Sequence, residues 1–215
     1  MQQSGNFLEK IKDGMMAITL QKGQRITLEK NGGQLTHICV GVNWGAIEKK
    51  GLFGGSKKEA VDLDASCITF DENKNPLEVV YFGQLIGQGI KHSGDDLTGD
   101  MDGDDDLDNE IITVDLTQVS DKATQIVFVL NSYRGHDFKD IPFASIRLYE
   151  GTPTKVNNVF ATFDIANDAK FAGSVAMVMG KLYKHNGNWK FSAIGESTKD
   201  TKLEQTVLTV QKNYL

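Results

Sequence analysis

Apolar and polar positions alternate with a period of two along most of this chain. The runs are 17–20, 24–30, 35–42, 60–70 and 77–83, then, after an acidic interruption, 110–116, 125–133, 144–150 and 158–165. Each is short, rich in β-branched and aromatic residues, and bounded by turn formers, which predicts antiparallel strands rather than alternating strand and helix units. A hairpin is read between Val175 and Ile194, where two alternating runs flank His185-Asn186-Gly187-Asn188. Asn-Gly is the strongest short-range hairpin signal because both central positions of a type I′ turn need positive φ. The period then changes: Leu203, Val207, Val210 and Tyr214 are spaced 4-3-4 and would share one helical stripe, predicting a helix over about 199–214 that packs on the sheets. Residues 44–58, rich in Gly and Lys, read as an exposed loop, and 5–13 as a short amphipathic turn or a frayed leader.

The pattern therefore predicts an all-β protein, an antiparallel β-sandwich with an acidic loop and a C-terminal helix. The expected division is a leader at 1–14, one sandwich domain at 15–196 and the helical segment at 197–215. The length of 215 residues, with 40% hydrophobic content, suits one domain with a sizeable core. No apolar run approaches the roughly 18 residues a spanning helix needs. The first residues lack the basic and apolar regions of a secretory signal. A soluble, cytoplasmic protein is expected, with a peripheral place at the inner membrane face left open. Cys39 and Cys67 lie in apolar runs without CxxC spacing and read as buried free thiols.

Charge changes the picture at one place. Residues 95–110 read DDLTGDMDGDDDLDNE, nine acids in sixteen residues with no Lys or Arg, and the net charge of -6 is theirs, since the rest of the chain carries about +3. Like charges at that density repel unless a cation sits among them. Calcium takes six to eight oxygen ligands at flexible geometry, whereas magnesium holds its waters and demands an octahedron, so a Gly-bent carboxylate loop favours calcium. An EF-hand is excluded. With Asp100, Asp102 and Asp104 at positions 1, 3 and 5, Asp105 occupies the place of the required Gly, and Ile111 that of the bidentate Glu.

A second acidic element is Asp62-Leu63-Asp64-Ala65, where strand periodicity puts both carboxylates on one face. Two readings stand for it: half of a metal site, or solvated side chains paired with Lys57 or Lys58. Other constellations carry less. His185 belongs to a turn, His136 to a polar loop, and His92 opens the acidic segment, where it could position the loop. No Ser or Cys nucleophile stands in a recognisable setting. Carboxylates this crowded, with 8% aromatic residues, do not suit glycoside hydrolysis, and GLFGGSKK at 51–58 is not a phosphate loop. The negative charge and scattered Lys argue against a nucleic-acid face.

The DLDAS element at 62–66, the HSGDDLTG segment running into GDDDLDNE at 92–110, the IVFV strand at 126–129 and the LYKHNGNWKFSAIGE hairpin at 182–196 together resemble the tellurium-resistance TerD family, in a branch with the long GDDxLDNE loop. The likeness spans about 16–196. It implies a β-sandwich that binds calcium, two ions in most members, with links to tellurite resistance and stress responses. Carried over by position, it points to Asp62, Asp64, Asp95, Asp96, Asp104, Asp105 and Glu110 as metal ligands, with Asp102 and the carbonyls of Leu97 and Gly103 as secondary candidates. The longer loop leaves open which of Asp104, Asp105, Asp106 and Asp108 hold metal. The expected function is a non-enzymatic, calcium-binding stress protein whose ions order a surface for a protein partner. The alternatives are a calcium-dependent membrane-surface module, helped by Lys49, Lys50, Lys57, Lys58, Leu52 and Phe53, and a divalent-metal enzyme acting on phosphate groups. Buried cysteines make direct redox chemistry on tellurite unsuited to this chain.

Overall fold

The computed structural model describes residues 36–50, 55–166 and 169–215, together with the backbone of four short strands within 18–34. The strands are β1 (Ile18–Thr19), β2 (Arg25–Thr27), β3 (Glu29–Lys30), β4 (Gly33–Gln34), β5 (His37–Trp44), β6 (Ile47–Lys50), β7 (Ser56–Glu59), β8 (Leu63–Phe70), β9 (Pro76–Val80), β10 (Ile86–Gly87), β11 (Ile90–His92), β12 (Glu110–Asp115), β13 (Gln125–Ser132), β14 (Ala144–Thr152), β15 (Lys155–Asp164), β16 (Ala176–His185) and β17 (Asn188–Ser197), followed by α1 (Leu203–Asn213). Two sheets form the sandwich, one ordered β1-β15-β14-β5-β12-β11-β10 and the other β2-β17-β16-β13-β8-β9. The pairings are antiparallel except between β1 and β15.

Alternation explains the core. Ile38, Val40, Val42 and Trp44 of β5 and Ile112 and Val114 of β12 meet Leu63, Ala65 and Cys67 of β8 and Ile126, Phe128 and Leu130 of β13 across the two sheets. At about 1.5–3 kcal/mol for each large apolar side chain removed from water, this layer is the main stabilising term. The second face of β8 and β13 is also buried, because Ile68, Phe70, Val127 and Val129 pack under Val210 of α1, with Leu203, Val207 and Tyr214 at its margin. The predicted helical stripe is therefore the packing face. The helix starts at Leu203, the first residue of its apolar stripe and four residues later than the predicted boundary near 199, after a turn in which the Thr201 N–H donates to Gln205 Oε1.

The hairpin of β16 and β17 turns through Asn186 (φ 52°) and Gly187 (φ 79°), with His185 paired to Asn188, as the type I′ reading requires. Cys39 and Cys67 are buried and free, and burial pushes the Cys67 thiol well above its ordinary range. The expected loop at 44–58 is corrected: β6 and β7 pair, with Lys49 opposite Lys57 and Glu48 opposite Lys58. Their side chains are mostly exposed. A charged hairpin of this kind carries no apolar stripe to announce it, and its lysines blunt the strand edges. The leader read at 1–14, including the turn at 5–13, lies outside the described residues.

Candidate metal centre

The end of β5 anchors the acidic segment. Trp44, fully buried, donates from its backbone N–H to Asn109 Oδ1 (2.8 Å) and from its indole N–H to the Val61 carbonyl (2.8 Å), and its own carbonyl accepts from the Asp100 N–H (2.9 Å). Gly99 turns with φ +65° directly against the indole, where a Cβ would collide with the ring. Only glycine meets both demands. Hydrogen bonds from Val61 N–H to the Thr98 carbonyl and from Tyr133 N–H to the Asp62 carbonyl then bring the start of β8, the acidic segment and the end of β13 to one corner of the sandwich.

At that corner Asp62, Asp64 and Asp95 each offer a carboxylate oxygen, all within 4.8 Å of one another. Asp62 and Asp64 are buried (2% and 5% exposed), while Asp95 is at the surface and opens the cluster to solvent. The reading of this pair as solvated, or as neutralised by Lys57 or Lys58, is overturned by that burial and by the partners found. Lys58 lies against Asp102 (3.5 Å) and donates to the Met101 carbonyl, and the cation at Asp62 is Arg134 (3.5 Å). Burial, then the charges of Glu110, Asp62 and Asp95, push Asp64 up to about 8. Asp62 is raised by burial and Asp95, against the opposing pull of Arg134. Asp62 Oδ1 has no hydrogen-bond partner among the described residues. Two buried carboxylates and a third at the surface, with one buried oxygen unpartnered, are the chemistry and spacing that a hard cation requires.

Glu110 has a different occupation. It is fully buried; Oε2 accepts from the Ala65 N–H (2.7 Å) and Oε1 from the Asp96 N–H (3.2 Å). His92 Nδ1 accepts from the Gly94 N–H (3.1 Å), so its proton sits on Nε2, shared between the Ala65 carbonyl (3.1 Å) and Glu110 Oε2 (3.3 Å). Glu110 thus ties β12 to β8 and to the acidic segment, and His92 positions it. Burial raises its pKa, with His92 and the two backbone donors opposing.

The loop acids are likewise supplied with donors. Burial pushes Asp96 up, but the Thr98 and Gly99 N–H groups, the Thr98 hydroxyl and Asn109 outweigh it and hold the carboxyl below its usual range. Asp104 Oδ1 accepts from Asn43 Nδ2 (2.9 Å) and the Asp106 N–H (2.9 Å), and Asp105 Oδ1 from the Leu107 N–H (2.9 Å). Asp102 is fully exposed, and Leu97 and Gly103 lie on exposed stretches. Asp108 turns away to the outer face of the seven-stranded sheet, where Arg147 Nε is 2.7 Å from it. Of the ten residues read from the sequence as ligands, Asp62, Asp64 and Asp95 converge, while Asp96 and Glu110 flank them and are linked to each other. Asp104 and Asp105 belong to a loop network that Asn109 joins to Asp96 through Asp100, and Asp102 meets only Lys58 among the described residues. Asn43, Asn109, Arg134 and Arg147 were missed. Asn109 sits inside the LDNE motif and Arg134 beside His136, but nothing local marks an Asn or Arg as the partner of a distant carboxylate.

Comparison with known proteins agrees with this architecture. Over 191 residues the chain is 30% identical to the tellurium resistance protein TerZ of Serratia marcescens, covering 87% of this chain and 93% of that protein. It is 34% identical over 205 residues to stress response protein SCP2 of Bacillus subtilis, covering 89% and 98%. Among solved structures, a homologue of telluride resistance protein TerD from Streptomyces coelicolor, SCO6318, superposes with a TM-score of 0.63 at 16% identity over 83% of this chain and 96% of that one, which bears on the fold. Residues 16–208 match the TerD domain. On that match the chain belongs to the TerD-domain family, whose named members here are tellurium-resistance and stress-response proteins.

Proposed function

We propose that this chain is a calcium-binding, non-enzymatic stress-response protein in which the bound ion orders the corner formed by β8, the acidic segment and the end of β13 for a protein partner. The observation that carries the reading is the convergence of Asp62, Asp64 and Asp95 within 4.8 Å, two of them buried, with one oxygen unpartnered. These are oxygen donors alone, which suits a hard cation and not zinc or copper. A first ion would be held by these three residues. A second, weaker ion would be held by the loop acids Asp100, Asp104 and Asp105, which would exchange their N–H donors for metal. Asp96 and Glu110 hold the two parts together, and Asp102 with the carbonyls of Leu97 and Gly103 would be further oxygen donors to the second ion.

Calorimetric titration of calcium into the protein and into Asp64→Asn tests this. A first binding step that is lost in the variant is the expected result. At a hundredfold excess over Kd the ion adds about 2.7 kcal/mol of stability, so superimposable melts in calcium and in EDTA would remove the reading. A second reading, calcium-dependent docking to an anionic membrane surface, is supported by the exposed lysines of the β6 and β7 hairpin, one of which leans on the acidic loop. Its test is sedimentation with phosphatidylserine vesicles with and without calcium. The membrane reading would also place the protein at the inner face of the membrane; otherwise it is cytoplasmic.

A further inference from the structure

Several acids of the 95–110 segment are turned toward the protein, while the apolar side chains next to them are turned to solvent. Leu97, Met101 and Leu107 are 51%, 37% and 65% exposed, three of the nine large apolar side chains that lie exposed among the described residues. The acid beside each is tied down instead. Asp96, before Leu97, accepts from the Thr98 and Gly99 N–H groups (both 2.9 Å), and Asp100, before Met101, from Asn109 Nδ2 (2.9 Å) and the Asp105 N–H (3.2 Å). Asp108, after Leu107, is held by Arg147 (2.7 Å). An acidic loop that only met water would show the reverse, with its charges solvated and its leucines folded back onto the core.

The three apolar side chains belong to one end of the sandwich. The Thr98 carbonyl accepts from the Val61 N–H just before β8, the Asp100 N–H donates to the Trp44 carbonyl at the end of β5, and the Asp106 carbonyl accepts from Arg147 Nη2 of β14 (3.4 Å), so the segment crosses that end from one sheet to the other. The β6 and β7 hairpin lies between β5 and β8 in the chain and leaves from the same end, where Lys58 donates to the Met101 carbonyl. On this hairpin Lys50 and Lys57 are exposed and have no ion-pair partner among the described residues. Asp95, the exposed member of the converging carboxylates, lies two residues from Leu97.

Spacing and charge select the occupant. Apolar side chains that alternate with acids suit the headgroup boundary of a bilayer, where charge, water and acyl chains lie side by side, better than the continuous apolar centre of a protein interface. Lys50 and Lys57 favour an anionic leaflet. The acids oppose one until a cation offsets them, and to that extent the inference rests on the calcium-dependent membrane reading above. We infer that Leu97, Met101 and Leu107 enter the interfacial layer of an anionic membrane when calcium is bound, with Lys50 and Lys57 against the headgroups. Side chains for metal and side chains for lipid then share one segment, so that each ligand raises the affinity for the other.

The test uses the full chain with vesicles of phosphatidylserine and phosphatidylcholine, in calcium and in EDTA. Trp44 and Trp189 are buried, so the added indole of Leu107→Trp reports on the loop. Its emission should shift to the blue on vesicles in calcium and be quenched by brominated lipid, with neither change in EDTA. Leu97→Ser and Leu107→Ser, both at exposed positions that do not threaten folding, should each weaken vesicle binding about fivefold. Both should keep the calcium isotherm. Leu208→Ser, at an equally exposed leucine on α1, should change nothing. Sedimentation in calcium without quenching of Leu107→Trp, or unchanged binding of the Leu97→Ser, Leu107→Ser double variant, would overturn the insertion and leave calcium-dependent docking standing. A parent chain that binds calcium but stays in the supernatant would remove the membrane reading together with this inference and leave the metal reading intact.

Discussion

The carboxylates of the β8 corner and those of the 100–108 loop have the same chemistry and opposite surroundings. Asp62 and Asp64 are buried with a shortage of donors, and their pKa values are raised. Asp100, Asp104 and Asp105 are exposed or nearly so, yet each accepts from a backbone N–H or an Asn side chain. The loop holds most of the charge, but the corner holds most of the unmet demand for positive charge. Charge density along a sequence finds acids, whereas an account of donors finds where a cation is needed.

Glu110 joins the two regions, and removing it should give the largest effect. Glu110→Ala leaves the Ala65 and Asp96 N–H groups and His92 without their buried acceptor and is expected to cost about 3–5 kcal/mol. Glu110→Gln keeps shape and one acceptor oxygen and should cost less. Denaturant melts of both variants in EDTA check this. If Glu110→Ala unfolded no more easily than the parent, the two regions would not depend on one another as described.

The next effect separates them. Asp64→Asn replaces a carboxylate that a bound cation would ionise by a neutral amide, so first-step calcium affinity is expected to fall at least tenfold, about 1.4 kcal/mol, while at neutral pH the metal-free protein becomes more stable because the buried side chain no longer has to take up a proton on folding. Opposite signs in the two states distinguish a metal ligand from a structural residue. Loss of stability in both states would assign Asp64 to the fold alone.

A pH series sharpens the same contrast. In the unfolded chain Asp64 ionises near its ordinary value of 3.8, and in the folded, metal-free chain near 8. Between those values the folded state keeps a proton that the unfolded state releases, so metal-free stability falls as pH rises through the window. Asp96 has the reverse sense: its pKa is lowered on folding, so its stabilising contribution is present above its unfolded pKa and is lost as pH falls through the folded one. Melts in EDTA from pH 5 to 8.5 should therefore slope downward, and Asp64→Asn should flatten the slope. An upward slope there would mean that Asp64 is ionised without metal.

Much of this was legible before the fold was known, for reasons visible in particular residues. Strands with one buried face show period two, Asn186-Gly187 shows a turn, and Leu203, Val207, Val210 and Tyr214 show a helical stripe, because each pattern is written in consecutive residues. Asp62 and Asp64 were also placed correctly on one face. The hairpin of β6 and β7 was not legible, since strands exposed along most of their length need no apolar alternation. Nor was the division of the acids, which depends on Asn43, Asn109 and Arg134 arriving from other strands.

The smallest expected effect is at the loop. Asp104→Asn retains an amide oxygen able to accept from Asn43 and the Asp106 N–H, so metal-free stability should change by less than about 0.5 kcal/mol, as for surface substitutions generally. The first calcium step should be untouched, because Asp104 does not belong to the converging set. Only a second, weaker step should disappear, since an ion there must displace N–H donors that already neutralise part of the charge. A two-step isotherm that becomes one-step in Asp104→Asn, and loses its other step in Asp64→Asn, would establish the corner as the tight site and the loop as the weak one. If Asp104→Asn abolished the tight step, donor supply would be no guide to metal preference in this protein, and the ranking of the two regions would have to be inverted.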